Sequence, residues 1–315
     1  MDKLPSLGRG IDEVLIPTFN AYEELLKANE ADIRSVKRET QKYGPHPRHH
    51  LDVYFPDSPP ASGRKKVLVF LHGGGFFAGS RVNKAYAGGL IFGNIGRYFT
   101  AKHGVTVVVP DYRLISHGAK YPSGGEDTAF VVDWIKSTLG AREGYGDGVD
   151  LFLLGNSAGG VHVATFLLDP AFAKAREDVL TSSGSNGVRL RGAIFLGTPF
   201  HWAGYDDKNI RTYLGPETIR ENSPIGKVEE TIRETGSAPV LPHCKLLILL
   251  SEFDPELLFL TARDLEAAWQ DQDIETQVLE GHNHISPQLG LGTGIGREEA
   301  WGEQVAAFLT SYAGD

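Results

Sequence analysis

Leu151-Phe152-Leu153-Leu154-Gly155-Asn156-Ser157-Ala158-Gly159-Gly160 is the stretch on which the reading of this chain turns. An apolar run of strand length passes directly into Gly155-x-Ser157-x-Gly159, and residues 158–168 then have the texture of a helix. A serine at so sharp a strand-to-helix turn takes up strained backbone angles and lifts its hydroxyl above the strand end. Its neighbours must be small for strand and helix to close around it. The helix N-terminus also brings unpaired N–H groups beside that hydroxyl. Two glycines around a serine mean little in a chain holding 38 glycines, so the flanking strand and helix carry the weight. A glycine–serine turn that merely ends a buried strand is the plain alternative.

The same texture repeats on both sides. Residues 66–71, 105–109, 193–196 and 246–250 are nearly continuous apolar runs, and 51–55 and 274–279 also read as strands. Continuous rather than alternating runs suit a parallel sheet covered on both faces. Helical patterns at 126–137, 158–168, 262–269 and 298–311 fall between them, which makes the fold α/β with right-handed crossovers. The first forty residues read as helical, with Leu15, Phe19, Tyr22, Leu25 and Leu26 at helical spacings and a charged stretch following to Thr40. The organisation expected is an N-terminal helical region over 1–45 that contributes to a cap, then one domain over 46–315. Residues 200–239 interrupt the alternation with mixed charge, proline and aromatics. They read as a lid inserted over the C-terminal edge of the sheet, where open α/β folds bind ligands. Residues 182–187 read as a surface loop.

Composition removes several classes. Forty acidic residues against 31 basic leave a net charge of −9 over 315 residues, the wrong sign for a phosphate backbone. A chain of this length buries about three quarters of its unfolded surface and needs no disulfide or metal staple. Cys244 is the single cysteine, so no intrachain disulfide can form. Met1–Ser6 carries no apolar stretch of the secretory kind, and the longest apolar runs fall far short of the roughly 20 residues of a membrane span. The expectation is a cytoplasmic protein with no membrane span and no nucleic-acid partner.

A second motif, Leu71-His72-Gly73-Gly74-Gly75-Phe76, follows the strand at 66–71. Consecutive glycines let backbone N–H groups face a ligand with no Cβ in the way, which is what stabilising a developing oxyanion requires. A phosphate loop would want a following Lys-Ser/Thr, which is missing here. His72 itself reads as a loop-shaping residue. Taken in this order, the two motifs resemble the α/β-hydrolase superfamily, and within it the hormone-sensitive-lipase-type carboxylesterases with their His-Gly-Gly-Gly loop. Asp111-Tyr112-Arg113-Leu114, followed by Tyr121-Pro122 and Glu126-Asp127, is similar to a segment those esterases carry. The resemblance covers the chain from about His49 onward. It implies an oxyanion hole made of the N–H groups of Gly74, Gly75 and Ala158.

A serine hydroxyl needs a base, and the base an orienting acid, in the chain order Ser, Asp/Glu, His. Past the strand at 246–250 comes Ser251-Glu252-Phe253-Asp254-Pro255-Glu256, in which Asp254 matches the family's Asp-Pro pattern. Glu252 and Glu256 are its local competitors. Past 274–279 comes Gly281-His282-Asn283-His284-Ile285-Ser286, with two histidines in a loop where the base belongs. The carboxylesterases carry His-Gly-Phe at this point. Kynurenine-formamidase-like hydrolases carry histidine followed by an apolar residue, which favours His284 and leaves His282 as a hydrogen-bonding group of the loop. Histidines at i and i+2 can share a metal, but the serine elbow, the glycine loop and the acid would then be coincidences.

The resemblance therefore implies a serine hydrolase of small carboxylic esters with Ser157, Asp254 and His284 as its triad, no cofactor and no metal. Phe76, Phe200, Trp202 and Tyr205 are expected to line the substrate pocket, while Phe77 is expected to seal the core. An amide, formamide or lactone hydrolase on the same triad is the second expectation. A ligand-binding receptor of the same fold is the third, disfavoured because all three triad positions can be filled. A homodimer is implied by the family alone.

Overall fold

The protein is described by a computed structural model over residues 2–57, 62–181, 187–205 and 207–312; of the loop expected at 182–187, all but Gly187 lies outside the described residues. Eight strands form one sheet: β1 (Lys37–Lys42), β2 (His50–Phe55), β3 (Lys65–Leu71), β4 (Thr106–Pro110), β5 (Val149–Asn156), β6 (Val188–Leu196), β7 (Lys245–Phe253) and β8 (Ile274–Asn283). Their spatial order is β1-β2-β4-β3-β5-β6-β7-β8. β2 runs antiparallel to β1 and β4, and every other pairing is parallel.

Because strand side chains alternate between faces, each continuous apolar run feeds two cores at once. Val67, Val69 and Leu71 of β3, with Leu151 and Leu153 of β5, enter the core on one face. Leu68, Phe70, Phe152 and Leu154 enter the other. Covering both faces takes helices on both. The first core is closed by α4 (Ser123–Trp134), α5 (Ala158–Leu168), α6 (Ala173–Leu180), α8 (Pro224–Thr235) and α9 (Glu256–Ala268). The second is closed by α1 (Ile11–Ala28), α2 (Glu30–Ser35), α3 (Gly93–His103), α10 (Pro287–Gly290) and α11 (Gly296–Thr310). α7 (Lys208–Leu214) stands apart, in a small third cluster above the start of α5.

The structure departs from the sequence reading at three places. The charged stretch stays helical through α2, but its end, from Lys37, is strand β1 rather than helix. Its Lys-Arg-Glu-Thr-Gln-Lys sequence carries no apolar face because the strand is a mostly exposed edge, where charges discourage pairing with another chain. Arg142 grips Glu39 through two hydrogen bonds of 2.8 Å, and Thr40 donates to Asp52 at 2.6 Å. Helix α3 has little apolar periodicity because it packs through small residues: a Cβ on Gly96 would lie 2.4 Å from the Tyr54 ring. Residues 200–239 divide in two. Ile210, Tyr213 and Leu214 of α7 sit over α5, whereas Ile225 and Val228 of α8 join the main core as the crossover between β6 and β7. Among the described residues no helix is long and apolar enough to cross a membrane.

Candidate active site

Ser157 ends β5 and caps α5 with φ +51° and ψ −118°, a conformation that side-chain-bearing residues rarely hold. The turn is tight enough to explain its glycines. A Cβ on Gly155 would lie 2.4 Å from the Gly160 backbone, and one on Gly159 would lie 2.2 Å from the Leu71 carbonyl. The Ser157 N–H donates to the Leu196 carbonyl at 2.8 Å, which fixes the serine against the C-terminal end of β6.

Asp254 follows β7 and is fully buried. One carboxylate oxygen accepts from the Ser251 N–H at 2.7 Å, and the other pairs with His284 Nδ1 at 2.7 Å. An ionised carboxylate has only lone pairs to offer, so the proton in that bond belongs to Nδ1, and Nε2 is left as the free base. Gly197, directly after β6, has φ +54°, and a Cβ there would sit 3.0 Å from the His284 ring and 3.6 Å from Asp254. The serine is bonded to Leu196 and the histidine abuts Gly197, so consecutive residues of one strand end touch both. The sequence reading did not single out Gly197; its only signal is a glycine immediately after an apolar strand.

The competitors are engaged elsewhere. Glu252 accepts from the Gly281 N–H at 2.7 Å, and the exposed Glu256 faces Arg9. His282 points into the core. Its Nδ1 pairs with Ser286 Oγ at 2.8 Å, and burial pushes its pKa down to about 4, so the ring is neutral.

The glycine loop reaches over the serine. A Cβ on Gly73 would lie 3.3 Å from Ser157 Cβ. Gly74, Gly75 and Phe76 all have positive φ, and a Cβ on Gly74 would collide with the Ala78 carbonyl at 2.1 Å. Among the described residues, the N–H groups of Gly74, Gly75 and Ala158 donate to no protein acceptor. The loop is held from behind. Tyr112 donates to the His72 carbonyl at 2.7 Å and stacks on the His72 ring at 4.3 Å. Arg48 donates to the Gly79 carbonyl at 2.9 Å, and Arg81 forms an ion pair with Asp111. Burial pushes His72 down to about 4, as expected of a neutral loop-shaping ring. Farther back, burial raises the Asp127 carboxyl, but hydrogen bonds from His49 and Arg113 outweigh it and hold the pKa below its usual value.

The expected pocket residues separate. Phe76 stacks face to face on Tyr213 at 4.3 Å and lies 6.3 Å from Trp202, all packed with Ala158 and Val161 at the start of α5. Phe200 does not belong with them: it is buried in the main core, edge-on to Phe195, because the chain there is still leaving the sheet. Tyr205 is 55% exposed. Phe77, expected to seal the core, is instead 54% exposed beside Gly75, since the positive φ values of the loop turn it outward.

A mostly parallel eight-stranded sheet in this order, with a strained serine between β5 and its following helix, defines an α/β-hydrolase-fold protein. A family model described as alpha/beta hydrolase fold matches residues 68–183, from the glycine loop through the serine elbow. The chain has the α/β-hydrolase fold. It is 29% identical over 147 residues to para-nitrobenzyl esterase of Bacillus subtilis, covering 44% of this chain and 28% of that protein. It is 28% identical over 142 residues to carboxylesterase 3B of Mus musculus, covering 42% and 23%. The matched stretch thus spans about a quarter of the length of these relatives. Among solved structures, an esterase from the planctomycete Thermogutta terrifontis superposes with a TM-score of 0.61 at 22% identity, over 87% of this chain and 92% of that one.

Proposed function

We propose that this chain is a carboxylesterase-type serine hydrolase acting on small carboxylic esters through an acyl-enzyme. The observation that carries the reading is the buried 2.7 Å pair between His284 and Asp254 at the sheet edge where Ser157 is held in a strained turn. Ser157 Oγ attacks the ester carbonyl while His284 Nε2 takes its proton; the C–O bond then breaks and the same proton passes to the leaving alcohol. Water repeats the sequence on the acyl-serine and releases the acid. Asp254 fixes the imidazole tautomer and stabilises its cation. The N–H groups of Gly74, Gly75 and Ala158 receive the oxyanion. Proton transfer of this kind contributes about 10²–10⁴ and each oxyanion donor about 10²–10³ in rate. Phe76 and Trp202, packed against Ala158, supply apolar walls for the acyl or alcohol pocket.

The esterases among the relatives support the ester as substrate. The test is hydrolysis of p-nitrophenyl acetate, butyrate, octanoate and dodecanoate by wild type and Ser157→Ala. Turnover lost in the variant is the expected result. Turnover retained by Ser157→Ala refutes the mechanism. Folded wild type inert on every ester refutes the substrate class and moves the reading to an amide, formamide or lactone.

A further inference from the structure

His284 hangs on a turn that its neighbour builds. The Asn283 side-chain oxygen accepts from the N–H groups of Ile285 at 3.1 Å and Ser286 at 3.0 Å, an Asx-type turn. Ser286 Oγ accepts in return from the Asn283 N–H at 3.0 Å. The Asn283 amide nitrogen then donates at 2.8 Å to Thr18 Oγ1 on α1, and both residues are completely buried. A buried amide leaves little freedom once both its ends are bonded, so Thr18 sets the plane of the carboxamide that shapes the turn.

Nine residues earlier in the same segment, Arg9 Nη1 donates at 2.7 Å to the backbone carbonyl of Asp254. Its guanidinium also lies 5.9 Å from the centre of the Phe253 ring and 3.7 Å from Glu256. α1 is seated firmly enough to act as a reference. Val14, Phe19, Tyr22 and Leu26 are buried in the second core, and the Tyr22 hydroxyl donates to Glu298 at 2.5 Å.

We infer that the N-terminal segment is a positioning element for the acid–base pair, with Arg9 fixing the Asp254 loop and Thr18 fixing, through Asn283, the turn that carries His284. The inference rests on the serine-hydrolase reading. Both residues are positioning residues and touch no reacting atom.

The test compares wild type with Thr18→Val, Thr18→Ser and Arg9→Ala on the full chain. The first readout is the far-downfield proton resonance of His284 Nδ1–H and its exchange with water, which needs no substrate. The second is kcat and KM on p-nitrophenyl butyrate, measured well below each variant's melting temperature. Thr18→Val and Arg9→Ala are expected to exchange that proton about tenfold faster and to lower kcat about tenfold at unchanged KM, because small misplacements of the base are costly. Thr18→Ser keeps the acceptor oxygen and is expected to restore both. Wild-type exchange and kcat in Thr18→Val and Arg9→Ala, even with a lowered melting temperature, overturn the inference. Arg9 is half-exposed, so its variant carries the test if Thr18→Val does not fold. A wild type lacking the resonance refutes the acid–base pair itself, and the inference falls with it.

Discussion

Replacing Gly197 by alanine probes the arrangement where it is tightest. The new methyl would begin 3.0 Å from both Cε1 and Nδ1 of His284, tighter than most real Cβ contacts, so the ring must give by a few tenths of an ångström. It would also occupy a backbone with φ +54°, where an L-residue costs about 1–2 kcal/mol. The two costs act on different observables. The backbone term lowers global stability by that modest amount. The steric term shifts by a few tenths of an ångström the imidazole that makes the 2.7 Å bond to Asp254. Misplacement approaching 1 Å costs about 10²-fold in rate. The expected result is therefore a folded protein whose kcat on p-nitrophenyl butyrate falls between about tenfold and a hundredfold, with KM little changed. Urea titration supplies the stability and steady-state kinetics supply the rate. A Gly197→Ala protein with wild-type kcat would refute the contact between this strand end and the base.

Gly74→Ala places a methyl 2.1 Å from the Ala78 carbonyl at φ +132°, so the loop must move; ester turnover is expected to fall about 10²–10³-fold, read by kcat on the same substrate. Stability should be acid-sensitive. Burial pushes His72 and His282 down to about 4 and His162 to about 3, whereas an unfolded histidine titrates near about 6.5. Over that interval the unfolded chain binds more protons, so stability is complete above the unfolded value and is lost as pH falls toward 4. Each ring costs on the order of 1 kcal/mol per pH unit. Urea midpoints at pH 7.5, 6 and 5 check this, and a flat series would contradict it. Cys244 is buried, which pushes its thiol up to about 12; it should ignore Ellman's reagent in the native protein and react stoichiometrically in urea.

Much of the fold was legible because parallel strands buried on two faces must be apolar at successive positions. Five of the eight strands announce themselves in this way, and α5 is bounded in the sequence at the same residues as in the structure. β1 was not legible: an exposed edge strand is held by backbone pairing and by ion pairs such as Arg142–Glu39, and neither leaves a hydrophobic period. α3 was missed for a related reason, since a helix that packs through Gly96 against Tyr54 needs space rather than apolar bulk.

The serine elbow and the glycine loop could be read from local sequence because the constraints that define them are local. A tight turn admits only small residues and consecutive N–H donors need glycines, wherever the rest of the chain goes. Side-chain meetings between distant segments have no such local mark. His284 was separated from His282 by one ring pairing with a carboxylate 30 residues away while the other turned to Ser286. Phe200 and Phe77 changed places, the first into the core and the second into solvent, because backbone direction decides which face an aromatic reaches. Gly197, Thr18 and Arg9 acquire their significance only through contacts that chain folding creates. Local sterics write themselves into adjacent letters, whereas contacts across the fold depend on where each strand and helix ends.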